Sequence, residues 1–461
     1  MKLSGQMNKI LPVCATALLL LFLCACQGLQ SQPGGGGGTG SLQSVNHIVV
    51  MLQENRSFDT YFGQLPAYWQ ANGYPSQTFD GIPANASNPV YSSPTTIGPG
   101  TVPAYHIKTE CTENLTPSWD ESHLDWNFYE PTSSTPTLDG YVYNAAKFAM
   151  DSGYTDTAGL RAMGYYDWTD LPYYYFMASK FATSDRWFSP VIDRTQLNRM
   201  YLFAATSQGY AYPPGTNNND NGALTATTIF DRLQAAGVSW KVYETDPNST
   251  YLTQFAEYAP PNALPPNVVP ATQFLTDAQA NTLPAVAFIE GGYNSGLDEH
   301  PDNDVQVGAA YVASLINGLM NSASWSDSVF ILTYDEAGGL YDHVAPQPAV
   351  NPDGIAPKDL NPGDICTSGG ANCDFNYTGF RVPMIVISPF TKQNYVSHTV
   401  ADYTAILKLI ETRFNLQPLT NRDAAQIDMT EFFDFQNVPW ATPPTPPAQP
   451  TNGTCNVQSL Q

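Results

Sequence analysis

The chain runs to 461 residues, of which 43% are apolar and 13% charged, with a net charge of −23. That length and apolar share allow one large α/β body with a sizeable core. So acidic and lightly charged a chain is excluded as an electrostatic binder of nucleic acid or of an anionic membrane.

The N-terminus reads as an export signal. Lys2 and Lys9 accompany an apolar run from Ile10 to Leu23, short for a membrane span, which ends in Leu23-Cys24-Ala25-Cys26. This resembles a bacterial lipoprotein signal: residues 1–25 would be removed, and Cys26 would carry lipid and anchor the mature chain to a membrane. An ordinary cleaved signal peptide is the alternative reading. Residues 26–43 contain a glycine run and read as a flexible tether. Four cysteines then remain, Cys111, Cys366, Cys373 and Cys455, an even number that suits an oxidising compartment. Cys366 and Cys373 bracket a short loop that a disulfide would staple. Cys111 joined to Cys455 would tie down the Pro-rich tail 441–461. The pairing stays open at this level.

Residues 44–440 read as a single catalytic domain in which apolar strands alternate with helices. Val45–Leu52 is a strand. A helix over Ala223–Ala236 is stopped by Gly237 and followed by strand Val238–Tyr243. Pro284–Ile289, Val329–Tyr334 and Val382–Ser388 are further strands, and Val305–Met320 and Ala401–Phe414 are helices. Near-continuous apolar strands between helices predict an α/β fold, a mainly parallel sheet with helices on both faces. The stretches 65–105, 210–222 and 345–378, rich in Pro, Gly and Asn, are long loop excursions. The aromatic stretch 165–188 is a core layer or a substrate wall, the core being preferred.

Sites in such a sheet form beyond the carboxyl ends of the strands. There the first strand delivers Glu54-Asn55 and the Val329–Tyr334 strand delivers Asp335-Glu336. Four oxygen donors from two strand ends suffice for a hard divalent cation, whereas either pair alone would more commonly cap a helix or form a local salt bridge. Arg56, Ser57 and Asp59 would support these ligands from behind. A third segment, Asp185–Arg199, reads as a loop entering a helix that runs to about Ala205, with Thr195 near its N-terminus. Free N–H groups there favour an anion, and a hydroxyl beside a metal is an activated nucleophile for phosphorus. Asn198 and Arg199, one turn on, can reach phosphate oxygens. A plain helix cap is the competing role for Thr195.

These residues resemble a known family. "ENRSFDTYFG" (54–63), "TQLNR" (195–199), "DEAGGLYDHVAP" (335–346) and "GFRVPMIVISPF" (379–390) are similar to the signature blocks of the phosphoesterase family of bacterial non-specific phospholipases C and related acid phosphatases. The resemblance implies an alkaline-phosphatase-like α/β/α sandwich. It implies a metal held by Glu54, Asn55, Asp335 and Glu336, with Asn55 and Arg199 also on the substrate, a Thr195 nucleophile and Asn198 on the phosphate. It places His300 of "DEHP" and His123 of "SHLDWN" at the site, and makes His343 an orienting residue. Two departures stand out. Leu197 replaces the family's usual proline, and Pro117-Ser118-Trp119 stands where a His-Ser-Trp is common. His47, His106 and His398 read as structural.

The expectation is an exported, lipid-anchored phosphoric ester hydrolase of the compact acid-phosphatase-like branch. It would form a phosphothreonine at Thr195, with His300 protonating the leaving oxygen. Oxygen ligation favours calcium, magnesium or manganese over zinc. A phospholipase C acting on phospholipid head groups is the alternative, and a non-catalytic surface binding protein a third reading.

Overall fold

The computed structural model describes residues 40–214 and 222–461. The expected signal segment, the Cys26 lipidation site and most of the glycine tether lie outside the described residues. Gly40–Gln461 form one compact unit. No described helix is long and apolar enough to cross a membrane.

Eight strands form the main sheet: β1 (His47–Gln53), β2 (Ala182–Ser184), β3 (Trp240–Glu244), β4 (Val268–Pro270), β5 (Val286–Glu290), β6 (Ser328–Tyr334), β7 (Met384–Ile387) and β8 (Tyr395–Ser397). Their order is β8-β2-β7-β6-β1-β5-β3-β4. All ladders are parallel except the two that β7 makes with β6 and β2. β6 is buried at every position and β1 at all but its first. Burial on both faces is why these strands read as continuous apolar runs and not as alternating ones. The helices fall into two packed groups. Pro172–Lys180, Thr272–Gln279 and Val305–Met320 form one; Thr195–Ala204, Ile229–Ala235 and Thr404–Phe414 form the other. The mainly parallel α/β architecture is the one the sequence predicts.

Element boundaries move for local reasons. The helix expected from Ala223 starts at Ile229, because Thr228 and Asp231 form a reciprocal capping box there. Leu224 instead bridges to Phe255 in extended conformation. The helix expected from Ala401 starts at Thr404: Ala401–Asp402 pairs with Trp187–Phe188, and the Asp402 carboxylate accepts the Thr404 N–H at 2.8 Å. Within the excursion 65–105 a hairpin, Ser87–Ser93 with Thr96–Pro103, helps build a smaller second core that includes Val102, Trp126, Tyr141 and Met163. The aromatic stretch is core: Tyr166, Tyr173, Tyr174 and Tyr175 are all buried.

Both disulfides form, Cys366–Cys373 and Cys111–Cys455. The second holds the Pro-rich tail against residues 108–111, where Lys108 N–H donates to the Leu460 carbonyl and Glu110 N–H to that of Thr454.

Candidate active site

Neighbouring β1 and β6 are in register at Gln53 and Tyr334, so both chains leave the sheet at the same level. Glu54-Asn55 and Asp335-Glu336 therefore arrive side by side. Asn55 takes a left-handed backbone, φ 62°, and its N–H donates to Asp335 Oδ1 at 3.1 Å. Asn tolerates this conformation better than most residues. The glycine at 338 has a spatial reason too: φ is 74°, and a Cβ there would lie 2.5 Å from the Asn55 carbonyl oxygen.

Thr195 opens the helix Thr195–Ala204 but does not cap it. Arg194 occupies the N-cap and contributes no side-chain capping bond. The Thr195 hydroxyl donates instead to Asn55 Oδ1 at 3.1 Å, across 140 residues of sequence. The N–H groups of the first turn thus stay available to an anion. One turn on, Arg199 turns down into the carboxylates. Its Nη2 donates to Glu54 Oε1 and its Nε to Asp335 Oδ2, both at 3.1 Å, and its guanidinium lies 4.3 Å from the Tyr251 ring centre. Tyr251 also donates to Glu54 Oε1 at 2.8 Å.

The carboxylates are crowded. Burial pushes the Asp335 carboxyl up to about 6, Arg199 pulling it down and Glu54 pushing it up. Glu336 is raised well above the usual carboxylate range, by burial first and by Asp335 next. Glu336 Oε2 accepts the Gly338 N–H at 2.5 Å, while its Oε1 is buried with no partner. Glu54, Asp335 and Glu336 share one directly paired guanidinium. An orphaned buried carboxylate oxygen and this uncompensated charge fit a hard divalent cation, for which Glu54, Asn55, Asp335 and Glu336 would be the oxygen donors. The tightest acid-histidine clusters among the described residues lie elsewhere. They are Asp59–Asp342–His343 and His106–Asp167–Asp170. The first already holds Arg381, which donates to Asp342 at 2.8 Å and Asp59 at 3.0 Å.

Glu54 and Asn55 open onto a polar cavity of about 380 Å³, lined also by Asn114, Leu115, Pro117, Arg194, Thr195, Gln196, Asp246, Ser249, Tyr251, Gly291, Tyr293, Asn294 and His300; Asp335 and Glu336 lie outside its lining. The Nδ1 of His300 faces Asp302 Oδ1 at 2.5 Å, and Tyr293 stands edge-on to the imidazole, its hydroxyl 3.2 Å from Asp302 Oδ2. Burial alone would lower the His300 pKa. The Asp302 hydrogen bond and the charges of Glu54, Asp302 and Asp298 outweigh it, so the imidazole is raised above its ordinary value.

The structure does not gather every expected residue here. His123 is fully buried in the helix Trp119–Trp126, its Nδ1 at 2.7 Å from the Trp119 carbonyl, and burial lowers it to about 4; it does not line the cavity. The Asn198 amide donates to the Asp193 carbonyl at 2.7 Å, and its oxygen accepts the Val191 N–H at 3.1 Å. It shapes the loop before Thr195 and does not line the cavity. Arg199 binds the Glu54 and Asp335 carboxylates and does not line the cavity. Arg56 donates to the carbonyls of Glu299 and His300. Asp59 and His343 belong to the Arg381 network, with His343 Nδ1 at 2.7 Å from Asp59 and Nε2 at 3.0 Å from Asp80. Sequence reasoning missed Arg194, Tyr251, Tyr293 and Asp302. The His-x-Asp spacing of 300–302 and the position of Arg194 before Thr195 were visible signals; nothing local marked the tyrosines.

Fold and cavity define an α/β enzyme with its site at the carboxyl edge of a mainly parallel sheet. Residues 45–417 match the Phosphoesterase family, and the chain belongs to it. It is a hydrolase acting on phosphoric ester bonds. It is 31% identical to phospholipase C B of Mycobacterium tuberculosis, over 90% of this chain and 81% of that protein. It is 31% identical to the hemolytic phospholipase C of Pseudomonas aeruginosa, over 86% of this chain and 57% of that one. Against non-specific phospholipase C4 of Arabidopsis thaliana the identity is 30%, over 84% and 71%. Among solved structures, an alkaline phosphatase superfamily protein from Vibrio parahaemolyticus aligns with a TM-score of 0.32 at 12% identity, covering 79% of this chain and 78% of that one.

Proposed function

We propose that the protein is an exported, metal-dependent phosphoric ester hydrolase that works through a phosphothreonine at Thr195. The observation that carries this is the Thr195 hydroxyl, at an uncapped helix N-terminus and 3.1 Å from Asn55 Oδ1, beside the grouped carboxylates. Glu54, Asn55, Asp335 and Glu336 would hold a divalent cation, whose charge would lower a hydroxyl pKa and offset negative charge on a phosphoryl group. Thr195 Oγ attacks phosphorus in line, its proton released to solvent and regained when the phosphothreonine is cleaved; the Oγ–P bond forms as the bond to the leaving oxygen breaks. First-turn N–H groups and Arg194 hold equatorial oxygens. His300, kept protonated by Asp302, gives its proton to the leaving oxygen. Water then cleaves the phosphothreonine, with the neutral imidazole taking its proton.

For the substrate, the polar lining of the cavity supports a small phosphate ester, as in an acid phosphatase. The names of the relatives favour a second reading, a phospholipase C that cleaves phospholipid head groups. Two disulfides and the N-terminal pattern at Cys26 support export and lipid anchoring.

The test is Thr195→Ala beside Thr195→Ser, assayed on phosphomonoesters and phosphatidylcholine vesicles, with and without chelator. Thr195→Ala should lose at least about a thousandfold in turnover, roughly 4 kcal/mol of barrier, while Thr195→Ser keeps substantial rate. Acid quench during turnover should trap phosphate on the Thr195 peptide of the wild type alone. An alanine variant with more than about a tenth of wild-type turnover, a barrier change under roughly 1.4 kcal/mol, rejects the nucleophile. Vesicle hydrolysis exceeding monoester hydrolysis selects the phospholipase reading.

A further inference from the structure

His300 follows a residue that no step of the proposed reaction uses. Glu299 is fully buried, yet it is an ionisable residue with a left-handed backbone, φ 68°. Glycine or asparagine is the ordinary occupant of such a position. What the carboxylate holds accounts for the choice. Its Oε1 accepts from Gln53 Nε2 at 3.0 Å and the Tyr174 hydroxyl at 2.5 Å. Its Oε2 accepts from the hydroxyls of Tyr61 at 2.7 Å and Tyr334 at 2.8 Å. Four donors converge on one carboxylate. Room for it is kept at Gly308, where a Cβ would lie 2.3 Å from Glu299 Cγ.

The origin of the donors matters more than their number. Gln53 is the last residue of β1 and immediately precedes Glu54. Tyr334 is the last residue of β6 and immediately precedes Asp335. The same carboxylate is therefore tied to both strand ends that carry the proposed metal ligands. Its own backbone is gripped from the segment just beyond β1 as well: Arg56 Nε donates to the Glu299 carbonyl at 2.8 Å and Arg56 Nη2 to the His300 carbonyl at 3.3 Å. The guanidinium sits 5.7 Å from the ring centres of both Tyr61 and Tyr166. His300, one residue on, has little freedom to move relative to Glu54 and Asp335.

We propose that Glu299 is a positioning residue for proton transfer: its buried carboxylate, joined to Gln53 and Tyr334, fixes His300 at the distance from the phosphoryl site that protonation of the leaving oxygen requires. This rests on the reading of His300 as the proton donor. A carboxylate that merely filled the core would support folding without regard to the leaving group. A positioning role instead predicts selectivity between leaving groups, because a weakly basic one departs without a proton and a strongly basic one does not.

The experiment compares p-nitrophenyl phosphate with an alkyl phosphate such as glycerol phosphate, for wild type, Glu299→Gln, Tyr174→Phe and His300→Ala. Glu299→Gln keeps the shape of the side chain but loses the charge that gathers four donors. It should lose roughly tenfold or more in kcat on the alkyl ester and less than about threefold on the nitrophenyl ester, with KM little changed. Its pH profile on the alkyl ester should lose the sharp basic limb that the His300 proton gives. Tyr174→Phe removes one donor and keeps the carboxylate, so it should show the same selectivity at smaller size; it also serves if Glu299→Gln does not fold. Equal losses on both esters in the variants that fold overturn the proposal while His300→Ala remains selective. If His300→Ala itself lacks selectivity, the proton-donor reading falls and the role of Glu299 with it.

Discussion

Arg199 is the residue whose role changes most between sequence and structure. Its guanidinium pairs with both Glu54 and Asp335 from within the protein and offsets part of their charge. Removing one partner of a buried ion pair commonly costs about 3–5 kcal/mol, because the charge left behind is uncompensated. A divalent cation at the same carboxylates would recover part of that cost. Arg199→Met should therefore be strongly destabilised in chelator and substantially restored by millimolar calcium, magnesium or manganese, in thermal melts where wild type responds less. Equal metal responses in the two proteins would contradict a cation on these carboxylates. His343 makes a different residue-scale prediction. Burial would lower its pKa, but Asp59 and Asp342 raise it to about 9. The folded state thus holds the proton more tightly than the unfolded chain does. That stabilisation is complete below the ordinary histidine value of about 6.5 and is lost as pH rises through about 9. His343→Gln should lower Tm at pH 6 and approach wild type near pH 10; a deficit that does not change with pH would count against the linkage.

At the scale of elements, the site is made by two strand ends and one helix start. β1 and β6 run in register, so their exits are fixed before any side chain is chosen. Gly338 then lets the chain after β6 turn against Asn55. Gly338→Ala places a side chain at a positive φ and against a backbone oxygen. It should cost about 1–3 kcal/mol and shift Asn55 away from Thr195. The measurement is a denaturant midpoint together with turnover, and activity should fall further than stability accounts for. An alanine variant with wild-type midpoint and rate would show that the turn has slack.

At the scale of the molecule, the two disulfides differ in reach. Cys366–Cys373 closes a separation of 7 residues and Cys111–Cys455 one of 344. In the chain-entropy account the long closure stabilises by about 5 kcal/mol or more and the short one by about 2–3 kcal/mol. Cys455→Ser should therefore lower stability more than Cys373→Ser. It should also loosen the segment after Cys111, whose Asn114 and Leu115 line the cavity. Calorimetry of the two variants decides the first point, and proteolysis of the tail checks the second.

Composition and apolar runs were enough to predict a mainly parallel sheet, because strands buried on both faces leave an uninterrupted apolar trace. The acid-amide pair at 54–55 and the acid pair at 335–336 were legible for the same reason: each follows such a strand, and a strand end fixes where its next residue goes. Thr195 was legible from the helix that follows it. What the sequence could not decide was the direction in which a side chain turns once its backbone is placed. Asn198 and Arg199 lie one helix turn after Thr195, yet one closes on its own loop and the other on the carboxylates. His123 has a plausible motif but no exposure, because Trp119 and the core close over it. Tyr251 reaches the cavity from the start of a short 3-10 helix, Tyr251–Gln254, and Tyr293 from a loop, and neither segment follows a periodicity. Partners separated by more than a hundred residues, such as Thr195 with Asn55 and Glu299 with Gln53 and Tyr174, meet only through packing of the whole sheet and its helices, and tertiary structure alone decides them.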